Sequence, residues 1–171
     1  AYPEKGFKIM EELTEKGNYN AKKSLASLYL AGIGTPQNIN KGISIWEELV
    51  KEGDLEIQYQ LSAMYYNGMV GLERDEEKGM KLLEDCAKKG HDVAQITLAN
   101  ILYKNLCVKD EKNDSEIERI FYWLHEASKN GNANADAIIG KIYADGIIVD
   151  FDYQRAVVVL QSKRLPKEFL M

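Results

Sequence analysis

A few side chains of this 171-residue chain belong to types that carry out chemistry, and their spacing decides whether they can act together. The two histidines, His91 and His125, show no H-E-x-x-H pattern, the spacing that places two zinc ligands on one helix face. The segment Gly32-Ile33-Gly34 lacks the lysine and hydroxyl residue of a phosphate-binding loop. No nucleophile, base and orienting group converge in the sequence. We therefore predict no catalytic residue, no cofactor and no metal site, and expect both histidines to be packed or solvated.

The residues that recur most regularly set a repeat of about 37 residues. The repeat glycines are Gly17, Gly53, Gly90 and Gly131, separated by 36, 37 and 41 residues. Counted forward from each glycine, position eight is aliphatic, position nine is small and position twelve is mostly tyrosine. These residues are Leu25, Leu61, Leu98 and Ile139; Ala26, Ser62, Ala99 and Gly140; and Tyr29, Tyr65, Leu102 and Tyr143. Twelve residues before each glycine the chain carries Lys5, Lys41, Lys78 and Arg119, with Arg155 in a fifth, partial copy.

Each copy of the repeat predicts two helices. Helix A follows the glycine, because apolar residues at positions four, eight, eleven and twelve lie on one face of a helix. Glycines end helix A, and residues with short polar side chains cap the start of helix B. The glycines are Gly32, Gly68 and Gly146, and the caps are Asn38, Asp75 and Asp152. The buried face of helix B includes Ile43, Trp46, Leu49 and Val50.

One helix pair of this length cannot bury its own apolar face, so neighbouring pairs must stack. We predict an all-α fold, a right-handed α/α superhelical solenoid of antiparallel helix pairs. It is expected to form a single repeat domain over residues 1–171. Its parts are a partial repeat 1–16, repeats 17–52, 53–89, 90–130 and 131–166, and a C-terminal tail 167–171. Gly42 and Gly79 in helix B are expected to let helix axes approach closely.

The two cysteines are expected to remain reduced. Cys86 falls at a repeated apolar position, which predicts a core side chain. Antiparallel helices would place its thiol about 20 Å from that of Cys107, beyond disulfide reach. Reduced thiols favour a reducing compartment, but a buried thiol persists elsewhere, so a bacterial cytoplasm and a periplasm both stay open.

The composition excludes some classes of partner. Lys and Arg number 22 against 27 Asp and Glu, a net charge of −5, and the basic residues are interleaved with carboxylates. A nucleic-acid groove needs clustered positive charge, so we expect no nucleic-acid partner. No stretch approaches the roughly 18 apolar residues of a membrane-spanning helix. The carboxylate runs are interpreted as solvated helix faces.

These repeated residues resemble the Sel-one-like repeat family, a relative of the tetratricopeptide repeat. The family pattern looks like A-x-x-x-L-G-x-x-Y-x-x-G-x-G-V-x-x-D-x-x-K-A-x-x-W-x-x-x-A-A-x-x-G. The first full copy matches it through Ala21, Leu25, Ala26, Tyr29, Gly32, Gly34, Asn38, Lys41, Gly42 and Trp46. The third copy departs most, because Leu102 and Asn105 replace Tyr and Gly and four extra residues fall within Val108–Ser115. The resemblance implies a non-enzymatic adaptor that binds other proteins.

The candidate binding residues lie at positions six, ten and thirteen of helix A, which are expected to face away from the buried stripe. The positions vary between copies, as partner-specific residues would. They hold Lys23, Ser27 and Leu30; Tyr59, Ala63 and Tyr66; Ile96, Asn100 and Tyr103; and Ala137, Lys141 and Ala144. If helices A line a concave side, then Tyr59, Tyr66 and Tyr103 form an aromatic ladder with Asn100, Lys141 and Lys23 nearby. Tyrosines are enriched at binding hot spots.

We therefore predict a protein-binding scaffold that is monomeric by default. The insertion at Val108–Ser115 is expected to add a rim contact. The alternative is an immunity or inhibitor protein that neutralises a secreted bacterial toxin or effector, since an acidic chain associates faster with a basic partner.

Overall fold

The computed structural model describes residues 2–69, 71–109 and 113–148, and eight α-helices lie within them. The helices are α1 (Tyr2–Glu15), α2 (Tyr19–Ala31), α3 (Ile39–Lys51), α4 (Leu55–Asn67), α5 (Glu76–Lys88), α6 (Asp92–Cys107), α7 (Asp114–Lys129) and α8 (Ala133–Asp145). The even-numbered helices are the predicted helices A, and the odd-numbered ones are the predicted helices B. In these ranges β structure is limited to one isolated bridge between Met69 and Leu72. The all-α repeat fold is confirmed.

The predicted elements at the C-terminal end lie outside the described residues. They are the cap Asp152, the basic residue Arg155, the last helix B of repeat 131–166 and the tail 167–171. The described part of the last repeat is residues 131–148, which contain helix α8 with its end at Gly146 as predicted.

The chain divides into two compact units, residues 1–83 and residues 84–171. In the first unit α1 packs on α2, α2 on α3 and α3 on α4. In the second unit α6 packs on α7, and α7 on α8. Each of these pairs consists of sequence neighbours, as stacked hairpins require. A single repeat domain spanning all residues stays a prediction.

The residue after each repeat glycine caps helix A, a position that sequence reasoning missed. The repeat glycine itself takes a positive φ, +100° at Gly53, which turns the chain from helix B into helix A. Asp54 then accepts a hydrogen bond from the Ile57 amide at 2.9 Å. His91 does the same through Nδ1, at 3.2 Å from the Ala94 amide. His91 is therefore a helix cap.

The third repeat differs because it lacks the glycine that ends helix A. Asn105 occupies that position, and α6 continues to Cys107. Helix α7 also has 16 residues, whereas α3 and α5 have 13 each. The two helices that flank the insertion are therefore three residues longer than their counterparts in the first two copies, 16 residues against 13. Residues 110–112 of the predicted rim contact lie outside the described ranges.

The core positions match the repeat, with one correction. Position nine is fully buried, with Ala26 at 0% and Ala99 at 1% exposure, and the Cys86 thiol lies buried in the core as predicted. Position thirteen was expected to face away from the core, yet Leu30 is only 9% exposed. Positions nine and thirteen are four residues apart and share a face, so the buried stripe of α2 extends to Leu30. Tyr66 and Tyr103 at the same position are half-buried, and Ala144 is exposed.

Two glycines bring helix B against helix A, as predicted. A Cβ atom on Gly42 would lie 2.6 Å from Cγ of Leu30, and one on Gly79 would lie 2.5 Å from the backbone nitrogen of Tyr66. Close approach at these points requires the absence of a side chain.

Candidate functional site

An apolar groove of about 590 Å³ is lined by α2, α4 and one tryptophan of α3. Its lining residues are Ser27, Leu30, Ala31, Trp46, Gln60, Ala63, Met64, Asn67, Gly68 and Met69. None of these carries a charge. The groove can therefore accept an apolar side chain without desolvating a charged group.

The groove is supported by the core of the first unit. Leu30 and Trp46 belong to one hydrophobic cluster with Ile43, Leu49 and Leu61. Trp46 is 6% exposed, and its indole Nε1 is buried without a hydrogen-bond partner among the described residues. Because Leu30 and Trp46 pack into the core, this part of the groove is held in place before any ligand arrives.

Ser27 and Ala63 at position ten and Leu30 at position thirteen of their helices A line this groove. The candidate binding residues of the first unit, Lys23, Tyr59 and Tyr66, do not line it. Lys23 instead forms an ion pair with Asp54, with Nζ 2.9 Å from Oδ2. The Asp54 carboxylate also accepts a hydrogen bond from the Tyr19 hydroxyl, which raises the pKa of Tyr19 to about 12. Burial alone would raise the pKa of Asp54, but the bonds from Tyr19, Ile57 and Lys23 together lower it. Lys23 therefore links α2 to the cap of α4.

The two candidate tyrosines of the first unit are half-buried on α4. They are seven residues apart, two helical turns, and so share a face. The Arg74 guanidinium lies over the Tyr66 ring, 5.9 Å from its centroid, and its Nε donates to the Tyr66 carbonyl at 3.0 Å. Arg74 therefore holds the segment after Gly68 against α4.

The second unit contains the other candidates, Asn100, Tyr103 and Lys141. Asn100 and Tyr103 are half-buried on α6, and Lys141 is exposed on α8. The Tyr103 hydroxyl donates to Asp145 at 3.2 Å, which joins α6 to α8. Burial raises the pKa of Tyr103, and the Cys107 thiol and the Asp145 carboxylate raise it further.

A glutamate, a tyrosine and a lysine from three successive helices meet twice in the first unit; we call each set a triad. In one, the Tyr29 hydroxyl contacts Glu11 of α1 at 3.1 Å and Lys41 of α3 at 2.5 Å. In the other, the Tyr65 hydroxyl contacts Glu47 of α3 at 3.3 Å and Lys78 of α5 at 2.7 Å.

In both triads the ammonium also lies over the tyrosine ring, 4.3 Å from the centroid of Tyr29 and 3.9 Å from that of Tyr65. Each lysine therefore gains a cation–π contact in addition to its hydrogen bond. Sequence reasoning identified the tyrosine and the lysine but missed the glutamate. The sequence does show that the glutamate recurs, since Glu11, Glu47 and Glu84 each stand six residues before a repeat glycine.

The triad changes in the second unit where the sequence changes. Leu102 replaces the tyrosine of the third copy, and there Arg119 contacts Glu84 directly at 2.5 Å. Lys78 also reaches Glu47 directly, at 3.2 Å, so the third copy keeps the contact between the basic residue and the glutamate without the tyrosine. In the fourth copy His125 replaces the glutamate and lies beside Phe121, with ring centroids 6.4 Å apart.

The repeated sequence matches a known family. The sequence model of the Sel1 repeat matches residues 21–54, 56–91 and 121–132. The chain is a Sel1-like repeat protein. The resemblance inferred from the sequence is therefore confirmed.

Two solved structures resemble this Sel1-like repeat protein. A Sel1 repeat protein from Oxalobacter formigenes is 20% identical, with a TM-score of 0.70 over 94% of this chain and 63% of that one. A protective antigen of uropathogenic Escherichia coli strains, which displays an SLR fold, is 22% identical, with a TM-score of 0.67 over 92% of this chain and 32% of that one. These likenesses show the fold, and this chain spans less than two thirds of either length.

None of the helices in the described ranges of this Sel1-like repeat protein has both the length and the apolar character needed to cross a membrane. The exposed apolar residues are scattered over several helices, as they are on other folded domains.

The buried histidine makes the stability of the second unit depend on pH. Burial lowers the pKa of His125 below its usual 6.5, the nearby Lys129 lowers it further, and Asp136 and Glu126 oppose the shift. The unfolded chain therefore binds a proton that the folded chain excludes. We expect the free energy of unfolding to fall between pH 7.5 and 5.5, by at most about 1.4 kcal/mol per pH unit for one group.

Urea unfolding at a series of pH values tests this expectation. His91→Asn is the matched control, because asparagine keeps a cap and leaves His125 as the only histidine of the chain. The control should keep the pH slope, and His125→Phe should lose it. An unchanged slope in His125→Phe would contradict the role given to this histidine.

Proposed function

We propose that this Sel1-like repeat protein is a non-enzymatic scaffold that binds a partner protein on the helix-A side of its hairpins. Sel1 repeats generally mediate protein–protein interaction. The observation that supports a particular site is the apolar groove lined by α2 and α4. A partner would place an apolar side chain over Leu30, Ala63 and Met64, with polar contacts to Gln60 and Asn67.

The named candidates extend this proposal beyond the groove. Tyr59 and Tyr66 share a face of α4. The same helix supplies four lining residues of the groove. In the second unit Lys141 is exposed, and Asn100 and Tyr103 are half-buried. Lys23 and Tyr103 already pair with Asp54 and Asp145, so a partner would have to offer them better contacts than these carboxylates do.

A charged substitution in the groove tests the proposal. Ala63→Arg places an unpaired charge on an apolar surface, so we expect it to weaken the affinity of a partner isolated from native extract by about tenfold or more. Ser44→Arg is the matched control, since Ser44 is exposed on α3, a helix B of the same unit. Titration calorimetry measures both affinities, and thermal unfolding confirms that both variants fold. Equal affinities of the two variants would overturn the groove as the binding site.

The second candidate function is an immunity or inhibitor protein directed at a basic toxin or effector. The net charge of −5 and the exposed carboxylates Glu73, Asp75, Glu76 and Glu77 support it. An inhibitor would copurify with one partner at fixed stoichiometry, and its association rate would fall steeply with added salt. Several weak partners with little salt dependence would favour the general scaffold.

A further inference from the structure

Asparagine is followed by glycine at two places in the chain, Asn67-Gly68 and Asn130-Gly131. Such a pair can react with itself, because the backbone nitrogen of the glycine can attack the side-chain carbonyl carbon of the asparagine. Glycine has no Cβ, so it allows the backbone angles that bring these two atoms together. Both asparagines are exposed, one at the end of α4 and the other just after α7. The sequence alone therefore assigns the same reactivity to both pairs.

The two pairs differ at the backbone nitrogen that must attack. The Gly131 amide donates to the Ser128 carbonyl at 2.9 Å, so it is held in a turn. The Gly68 amide donates no hydrogen bond among the described residues, because the chain leaves α4 there with a ψ of 164°. The glycines that end α2 and α8 instead keep ψ values of 35° and 19°, and each donates to a carbonyl of the preceding turn.

The two asparagine side chains also differ in what holds them. Nδ2 of Asn130 lies 3.4 Å from the Gly90 carbonyl oxygen and 3.4 Å from Oε1 of Gln95, so it links the end of α7 to the start of α6. Nδ2 of Asn67 donates at 2.9 Å to the Ala63 carbonyl of its own helix. A reaction at Asn130 would break a contact between two helices, whereas a reaction at Asn67 disturbs the last turn of α4.

We propose that Asn67-Gly68 is a self-modification site and that its product regulates the groove of α2 and α4. The Gly68 nitrogen loses its proton and forms a bond to Cγ of Asn67. The bond between Cγ and Nδ2 breaks, and Nδ2 leaves with the released proton as ammonia. Water then opens the succinimide ring at either carbonyl, which gives aspartate or isoaspartate at position 67. No oxidant or reductant takes part.

The product would place a carboxylate where the groove has no charge. Asn67 and Gly68 both line the groove, and none of the other lining residues is charged. A carboxylate at position 67 cannot donate to the Ala63 carbonyl, and it stands at the carboxyl end of α4, where the helix dipole disfavours negative charge. The charge would stay solvated at the groove and make burial of an apolar partner side chain less favourable. This consequence, unlike the modification itself, rests on the proposed function.

Timed incubation of the full chain tests the modification. The folded protein is held at mildly alkaline pH, which favours loss of the proton from the attacking nitrogen. Tandem mass spectrometry after digestion at acid pH locates each converted asparagine. We expect Asn67 to convert about tenfold faster than Asn130 or more, because hydrogen bonds must break first at Asn130. The urea-unfolded chain should convert both at similar rates. Equal rates in the folded protein, or the same bias in urea, would overturn the site.

Affinity measurements test the regulation. Asn67→Asp copies the product, and Asn67→Gln is the matched control, since glutamine keeps an uncharged amide at the same position. The probe is the partner isolated from native extract on which Ala63→Arg is measured. Asn67→Asp should weaken its affinity about fivefold or more, and Asn67→Gln should change it by less than about twofold. Thermal unfolding confirms that the variants fold.

The outcomes separate this regulation from the proposed function. If Ala63→Arg weakens the affinity and Asn67→Asp does not, the regulation is overturned while the proposed function stands. Equal losses in Asn67→Asp and Asn67→Gln would assign the effect to the lost asparagine and not to the charge, and would overturn the regulation as well. If neither Ala63→Arg nor Asn67→Asp weakens the affinity, the proposed function fails and the regulation fails with it.

Discussion

Gly79→Ala is expected to destabilise the first unit by about 3 kcal/mol, although alanine is the better helix former. The added Cβ would lie 2.5 Å from the backbone nitrogen of Tyr66 and 2.7 Å from its Cα. A backbone cannot rotate aside as a flexible side chain can, so α4 and α5 would have to separate. Their separation would also loosen the Tyr65–Lys78 contact. Urea unfolding followed by circular dichroism measures the loss.

Gly6→Ala provides the matched comparison for this prediction. Gly6 is also a helical glycine at the same repeat position, but a Cβ there meets nothing within 4 Å. We expect Gly6→Ala to stabilise the protein by about 0.5–1 kcal/mol, the ordinary gain of alanine over glycine in a helix. If both substitutions changed the free energy of unfolding in the same direction, the close helix approach at Gly79 would be contradicted.

Tyr65→Ala is expected to cost about 3–5 kcal/mol, because it removes a buried aromatic ring. The ring is 7% exposed and belongs to the cluster that contains Ile57, Leu61 and Trp46. The substitution also removes the hydroxyl that joins Glu47 to Lys78 and the ring beneath the Lys78 ammonium. Three helices would lose contacts at one point.

Tyr65→Phe separates the ring from the hydroxyl. The phenylalanine keeps the packing and the cation–π contact, and Lys78 still reaches Glu47 at 3.2 Å. We expect a loss of only about 1 kcal/mol, the usual net value of one hydrogen bond. Chemical unfolding of both variants gives the two values. A loss in Tyr65→Phe as large as that in Tyr65→Ala would mean that the hydroxyl, not the ring, is the main stabilising group.

The sequence was most informative where the same physical demand recurs in every copy. Leu25, Leu61, Leu98 and Ile139 recur because each helix A must bury one stripe, and this recurrence predicted the helices and their pairing. The glycines between helices recur because the turn needs a positive φ, as at Gly53. The ends of α2 at Gly32 and of α8 at Gly146 were predicted for the same reason, since both glycines take a left-handed conformation.

The features that were missed depend on contacts between residues far apart in the chain. The apolar groove arises where Ser27 of α2, Trp46 of α3 and Ala63 of α4 meet, and no single helix carries its pattern. The salt link between Lys23 and Asp54 was missed because the capping role of Asp54 was not recognised. In the third copy, the loss of one glycine lengthened α6, since nothing at Asn105 forces the helix to end.

Site-specific photo-crosslinking tests most directly whether the helix-A groove binds a partner. A benzophenone-bearing residue at position 67 would lie on the groove, and the same residue at position 44 would lie on helix B of the same unit. If the groove binds a partner, the residue at position 67 should form a discrete adduct with another protein. Adding Ala63→Arg should abolish this adduct, and the residue at position 44 should form none. The same adduct from position 44 alone, or an adduct from position 67 that persists with Ala63→Arg, would contradict the account.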